Sequence, residues 1–136
     1  KALRAGADAL VVMGLTQADV DGAMVAYGFR KGAFGDREAT KPNPKIIRRL
    51  IAAMMGEGCA CVEEQAVQRP SDIDALAVHA LGYPRREGGP MRAAQTLGLI
   101  GLRRDMRDWA LDADIWQPPA LLDEAIKLAD GFDALA

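Results

Sequence analysis

The residues able to do chemistry in this sequence fall into four groups: one histidine, His79; two aspartate pairs, Asp19/Asp21 and Asp72/Asp74; two cysteines, Cys59 and Cys61; and two glycine-rich stretches flanked by cations. His79 could serve as a general base or a ligand. It stands between Val78 and Ala80 in a segment of helical spacing, with no serine or cysteine near in sequence, and reads as a helix-surface or packing residue. The aspartates resemble acid/base pairs, but each pair falls in the first turn of an expected helix. There a negative charge complements the macrodipole, and capping accounts for all four. Cys59 and Cys61, two apart on a helix, diverge by roughly 200° and can neither bridge each other nor share a metal.

The glycine stretches are Gly28-Phe29-Arg30-Lys31-Gly32-Ala33-Phe34 and Gly82-Tyr83-Pro84-Arg85-Arg86-Glu87-Gly88-Gly89-Pro90. Phosphate cradles of the dinucleotide and P-loop kinds follow strands, whereas both stretches follow helical segments, so they read as tight turns. Arg85 and Arg86 could hold a phosphate, although a solvated loop is the commoner outcome for such a pair. No set of residues supplies a nucleophile, a base and an oxyanion donor together. The expectation is therefore no catalytic, cofactor-binding or metal-binding residue in this chain.

The elements that must position these groups read as helices throughout. Leu3, Ala7, Leu10 and Val11 give a first stripe ending at Gly14, in a helix that reads as the continuation of a longer one cut at Lys1. Thr16 is an N-cap with Asp19 three residues on, followed by Val20, Ala23, Met24 and Tyr27 and a stop at Gly28. Residues 28–44 read as a loop. Pro44 opens a helix of about twenty residues carrying Ile47, Leu50, Ile51, Met54, Gly58, Cys61 and Val62 on one face, with Glu57, Glu63 and Glu64 off it. Gly56 and Gly58 each weaken that helix by roughly 1 kcal/mol, which points to close approach of a neighbour at both. Ser71 is expected to cap the next helix with Asp74 at its third position, turning Ile73, Leu76, Ala77, Ala80 and Leu81 inward. Pro90 opens another helix. Leu99, Leu102, Met106 and Trp109 follow a break near Gly98 and Gly101. Pro118-Pro119 begin a last helix through Leu122, Ala125, Ile126 and Ala129, stopped by Gly131.

The 5% aromatic content and the abundance of Ala, Leu and Met favour helix over strand, and no stretch alternates as a strand would. The fold class is all-α. The phrase Asp-x-Asp, helix, glycine turn occurs twice, so the chain divides into residues 1–40 and 44–136. Each unit has an apolar face it cannot bury alone, and the two pack as a pseudo-twofold pair. A net charge of −2 and a pI near 5.4 argue against nucleic-acid binding, since no broad positive field exists. The longest apolar runs fall well short of the ~20 residues of a membrane span. Two cysteines without a disulfide framework point to a reducing, cytoplasmic setting.

Several phrases together carry a resemblance to a family. Residues 46–132 resemble the C-terminal helical domain of 3-hydroxyacyl-CoA dehydrogenases, most of all its second copy in multifunctional β-oxidation enzymes that also carry an enoyl-CoA hydratase. The matching phrases are Arg69-Pro70-Ser71-Asp72-Ile73-Asp74, Gly82-Tyr83-Pro84-Arg85-Arg86-Glu87-Gly88-Gly89-Pro90-Met91 and Pro118-Pro119-Ala120-Leu121-Leu122. Residues 1–34 resemble the end of the first copy. The chain departs from the family's usual pattern at Arg30 and Ala33 (proline), Gly56 (asparagine) and Gln95 (aspartate), and Gly35 to Asn43 is too short for the family's usual inter-copy segment. The resemblance implies NAD-dependent oxidation of a 3-hydroxyacyl-CoA, with the catalytic His–Glu pair and the NAD site in an upstream Rossmann domain. It implies a catalytic asparagine at the start of the first copy, before Lys1; Arg48 takes that place in the second copy. The role implied for this chain is dimer-like packing and partial closure over acyl-CoA. The alternative is an assembly module that kept the packing and lost the chemistry.

Overall fold

The computed structural model describes residues 1–128 and 130–135, and within them the regular structure is helical. The α-helices are α1 (Ala2–Val12), α2 (Gln17–Tyr27), α3 (Pro44–Glu63), α4 (Pro70–Leu81), α5 (Pro90–Leu97), α6 (Leu99–Trp109) and α7 (Ala120–Ile126). Short 3-10 turns cover Arg85–Glu87, Asp114–Trp116 and Gly131–Leu135. The expected Ala129 position lies outside the described residues.

The long α3 is the axle. Asn43 caps it, its side chain accepting from the Ile46 N–H, and Pro44 opens it at a position where no N–H is needed. Its apolar residues recur around most of its circumference, so α1, α2, α4, α5 and α7 all pack on it. Gly6 of α1 lies against Leu50 and Ala53, where an added Cβ would stand 3.2 Å from the Ala53 Cβ. α2 begins with a full capping box: the Asp19 N–H donates to Thr16 Oγ1 at 3.0 Å, and the Thr16 N–H donates to Asp19 at 3.2 Å.

Four local expectations are corrected. The cap of α4 is Arg69 rather than Ser71: Pro70 already occupies the first helical position, and the Arg69 N–H donates to Asp72 at 3.1 Å. Leu76, Ala80 and Leu81 are exposed, Leu76 by 55%, because α4 turns Pro70, Ile73, Ala77 and Val78 toward the body instead. The chain breaks at Gly98 alone, and Gly101 continues inside α6, where nothing crowds it. α7 starts at Ala120 with Pro119 as its cap; the buried Leu121 N–H donates to Glu63 Oε1 at 2.8 Å, so the off-stripe Glu63 secures the start of this helix.

Candidate functional site

Asp21 and Asp74 do not cap their own helices. Each reaches across to the glycine stretch that follows, and together they define a clasp built twice. Asp21 is fully buried and accepts from the Phe34 N–H at 3.0 Å and the Asp36 N–H at 2.9 Å. Asp74 accepts from the Met91 N–H at 2.7 Å and the Arg92 N–H at 3.2 Å. The glycines make room: a Cβ on Gly32 would collide with the Asp21 carboxyl, and one on Gly89 would stand 2.5 Å from the Asp74 Cβ. A carboxylate buried with two backbone donors is held because the alternative leaves orphaned groups on both sides. Burial nevertheless raises the Asp74 carboxyl to about 6, outweighing the two N–H donors that lower it.

The clasped stretches meet at an aromatic contact. Phe29 and Tyr83, which occupy the same place in the repeated phrase, stack edge to face with centroids 5.2 Å apart. The Tyr27 and Tyr83 hydroxyls are 2.8 Å apart, and Arg86 Nη2 donates to the Tyr27 carbonyl at 3.0 Å. Burial raises both phenols, so they remain neutral hydrogen-bonding groups. Arg86, expected as a solvated cation, thus ties the turn after α4 to the end of α2.

The remaining candidates stand apart. His79 is exposed on α4 and lines a cavity of about 580 Å³ with Asp74, Arg85 and Arg92. Both Asp74 oxygens are already engaged by backbone donors, and Asp133 is the other carboxylate lining the cavity. Cys59 is buried against Met55, its thiol pushed to about 12 by burial and then by Glu63, and is not a thiolate nucleophile at neutral pH. Cys61 is half-buried, and both thiols are free. Among the described residues no three His, Cys, Asp or Glu side chains gather as metal ligands. A second cavity of about 310 Å³ lies between α2, α3 and α5, walled by Ala23, Tyr27, Ile47, Ile51, Ala93 and Leu97.

Sequence reasoning missed two polar anchors. Gln95 Oε1 accepts from the Phe132 N–H at 2.8 Å, tying α5 to the last turn. Arg49 is sandwiched between Trp109 and Trp116, 4.6 and 4.8 Å from the two rings, while Trp116 Nε1 donates to the Arg49 carbonyl at 2.9 Å. Neither is visible as a motif, because the partners are 37 to 67 residues apart in sequence.

A carboxylate committed to each glycine stretch, helices packed on one axle and a neutral tyrosine pair make a helical domain whose polar groups hold its own chain. The family model for the 3-hydroxyacyl-CoA dehydrogenase C-terminal domain matches residues 46–130, and the chain belongs to this family. Among curated relatives, the peroxisomal fatty acid beta-oxidation multifunctional protein of Oryza sativa subsp. japonica is 24% identical over 94 residues. That match covers 68% of this chain and 13% of the relative's length. No helix among the described residues is long and apolar enough to cross a membrane.

Proposed function

We propose that this chain is the non-catalytic helical part of an NAD-dependent 3-hydroxyacyl-CoA dehydrogenase of fatty-acid β-oxidation. The observation that carries the reading is the family match over residues 46–130, which falls on a region whose half-buried Asp74 carboxylate is committed to a loop. The chemistry then belongs to an upstream Rossmann domain that binds NAD and supplies the base. The helical part holds its two units, residues 1–40 and 44–136, as a pseudo-twofold pair and closes part of the acyl-CoA site. The doubled clasp and the Phe29–Tyr83 contact support the pairing, since equivalent residues meet across it. The small apolar cavity between α2, α3 and α5 supports a role beside an acyl chain. No residue of this chain is assigned a catalytic, cofactor or metal role. The compartment we assign is the cytoplasm, on the two free thiols; the rice relative is named as peroxisomal.

Two features favour a second reading. The segment between Gly35 and Asn43 is short, and Arg30 and Ala33 replace the prolines usual in the resembled family. An assembly module freed from the dehydrogenase reaction would tolerate such changes. Assaying the intact protein that carries this chain with a 3-hydroxyacyl-CoA and NAD separates the two: NADH formation supports the enzyme, and its absence with both ligands bound supports the module.

A further inference from the structure

We propose that the cleft between the two glycine turns binds a small ligand carrying at least two linked phosphate groups. The cleft, of about 620 Å³, is lined by Arg30, Lys31 and Arg37 from the first loop and by Arg85 from the turn after α4. Among the described residues no carboxylate lines it. Among the described residues none of these four cations makes an ion pair, whereas seven arginines elsewhere lie within 3.7 Å of a carboxylate. In a chain of net charge −2, four uncompensated cations on one concavity set up a local positive field that an anion relieves. One phosphate carries about two negative charges at neutral pH, which leaves half of that field unmatched; two linked phosphates balance it. The three guanidinium groups present planar forks suited to phosphate oxygens. Gly28 and Gly82 form part of the wall, and open space lies where a Cβ on Gly82 would be, so a ligand can come close to the backbone there. Arg30 stands where the resembled family usually has proline, which makes this arrangement a property of this chain.

The inference does not depend on the dehydrogenase reading, because binding is measured without turnover. The chain is titrated at low salt with pyrophosphate and, in parallel, with orthophosphate, by calorimetry and by amide NMR shifts. The expected result is one saturable pyrophosphate site, at least about tenfold tighter than orthophosphate and weakened by added salt. The amides of Gly28, Gly82 and Arg85 shift, and ATP and coenzyme A, which also present linked phosphates, displace the probe. The double variant R30A/R85A, at exposed positions, loses at least about tenfold in affinity, while R107A on α6 keeps it. Absence of pyrophosphate binding, equal binding of orthophosphate, or unchanged affinity in R30A/R85A would overturn the proposal. Shift mapping on the unsubstituted chain decides independently of whether the variant folds: shifts confined to another surface also overturn it.

Discussion

Asp21 is buried completely, and its two oxygens hold the Phe34 and Asp36 N–H groups. Replacing it with alanine removes the partner of both donors and empties a fully buried position, so D21A is expected to cost roughly 2–4 kcal/mol, read from urea unfolding midpoints. Asp74 makes the same clasp in a less enclosed place and predicts a pH effect of definite sign. Its folded pKa, about 6, lies above its ordinary value of 3.8, so the folded state holds the proton more tightly. Asp74 therefore contributes stability that is full below about pH 4 and lost as pH rises through about 6. Against D74N, whose side chain does not titrate, the wild-type protein should lose ground across that window in parallel urea titrations; a flat difference would refute the assignment. The sequence displayed the aspartates and their repetition, yet only local caps were legible: that of Asp19 in register, and that of α4 two residues late, at Ser71 and Asp74 instead of Arg69 and Asp72. Those bonds close within three residues, whereas the clasps of Asp21 and Asp74 span 13 to 18 and depend on how the glycine stretch folds back.

At the scale of the element, α3 carries two glycines that look alike in sequence and differ in surroundings. A Cβ on Gly58 would stand 2.8 Å from Met91 Sδ and 2.9 Å from an Ile73 methyl, where α4 and α5 press onto the axle. A Cβ on Gly56 would meet nothing closer than 3.7 Å, so the expected close approach holds at Gly58 and fails at Gly56. G56A should stabilise the protein by up to about 1 kcal/mol through helix propensity. G58A should destabilise it by about 1–3 kcal/mol despite the same gain, because two packed side chains must shift. Thermal melts of the two variants, moving in opposite directions, check both. Helix existence was legible almost everywhere, since the apolar spacing and the Pro and Gly punctuation act locally. The outward turn of Leu76, Ala80 and Leu81 was not, because a small alanine-rich helix is apolar on more than one face and the sequence does not say which one its neighbours cover.

At the scale of the molecule, residues from along the whole chain enter one continuous apolar core, from Leu3 and Val20 through Leu50 and Met55 to Trp116 and Leu122. Removing residues 1–40 would strip α1 and α2 from α3 and uncover Leu50 and Ala53. The fragment 44–136 is therefore expected to lose cooperative unfolding, checked by comparing its circular dichroism melt with that of the whole chain. The all-α class was legible from composition and periodicity, and the family from a few phrases around the glycine turns, where backbone geometry restricts which residues fit. The tyrosine contact and the cationic cleft were not, because each joins residues about 50 apart that only the assembled fold brings together. We propose that these helices hold an enzyme together without performing its reaction. The most direct test follows NADH consumption with acetoacetyl-CoA, for the chain alone and for the intact protein that carries it. No turnover above background is expected from the chain and clear turnover from the intact protein; turnover by the chain alone, or an intact protein that is folded and inactive, would contradict this role.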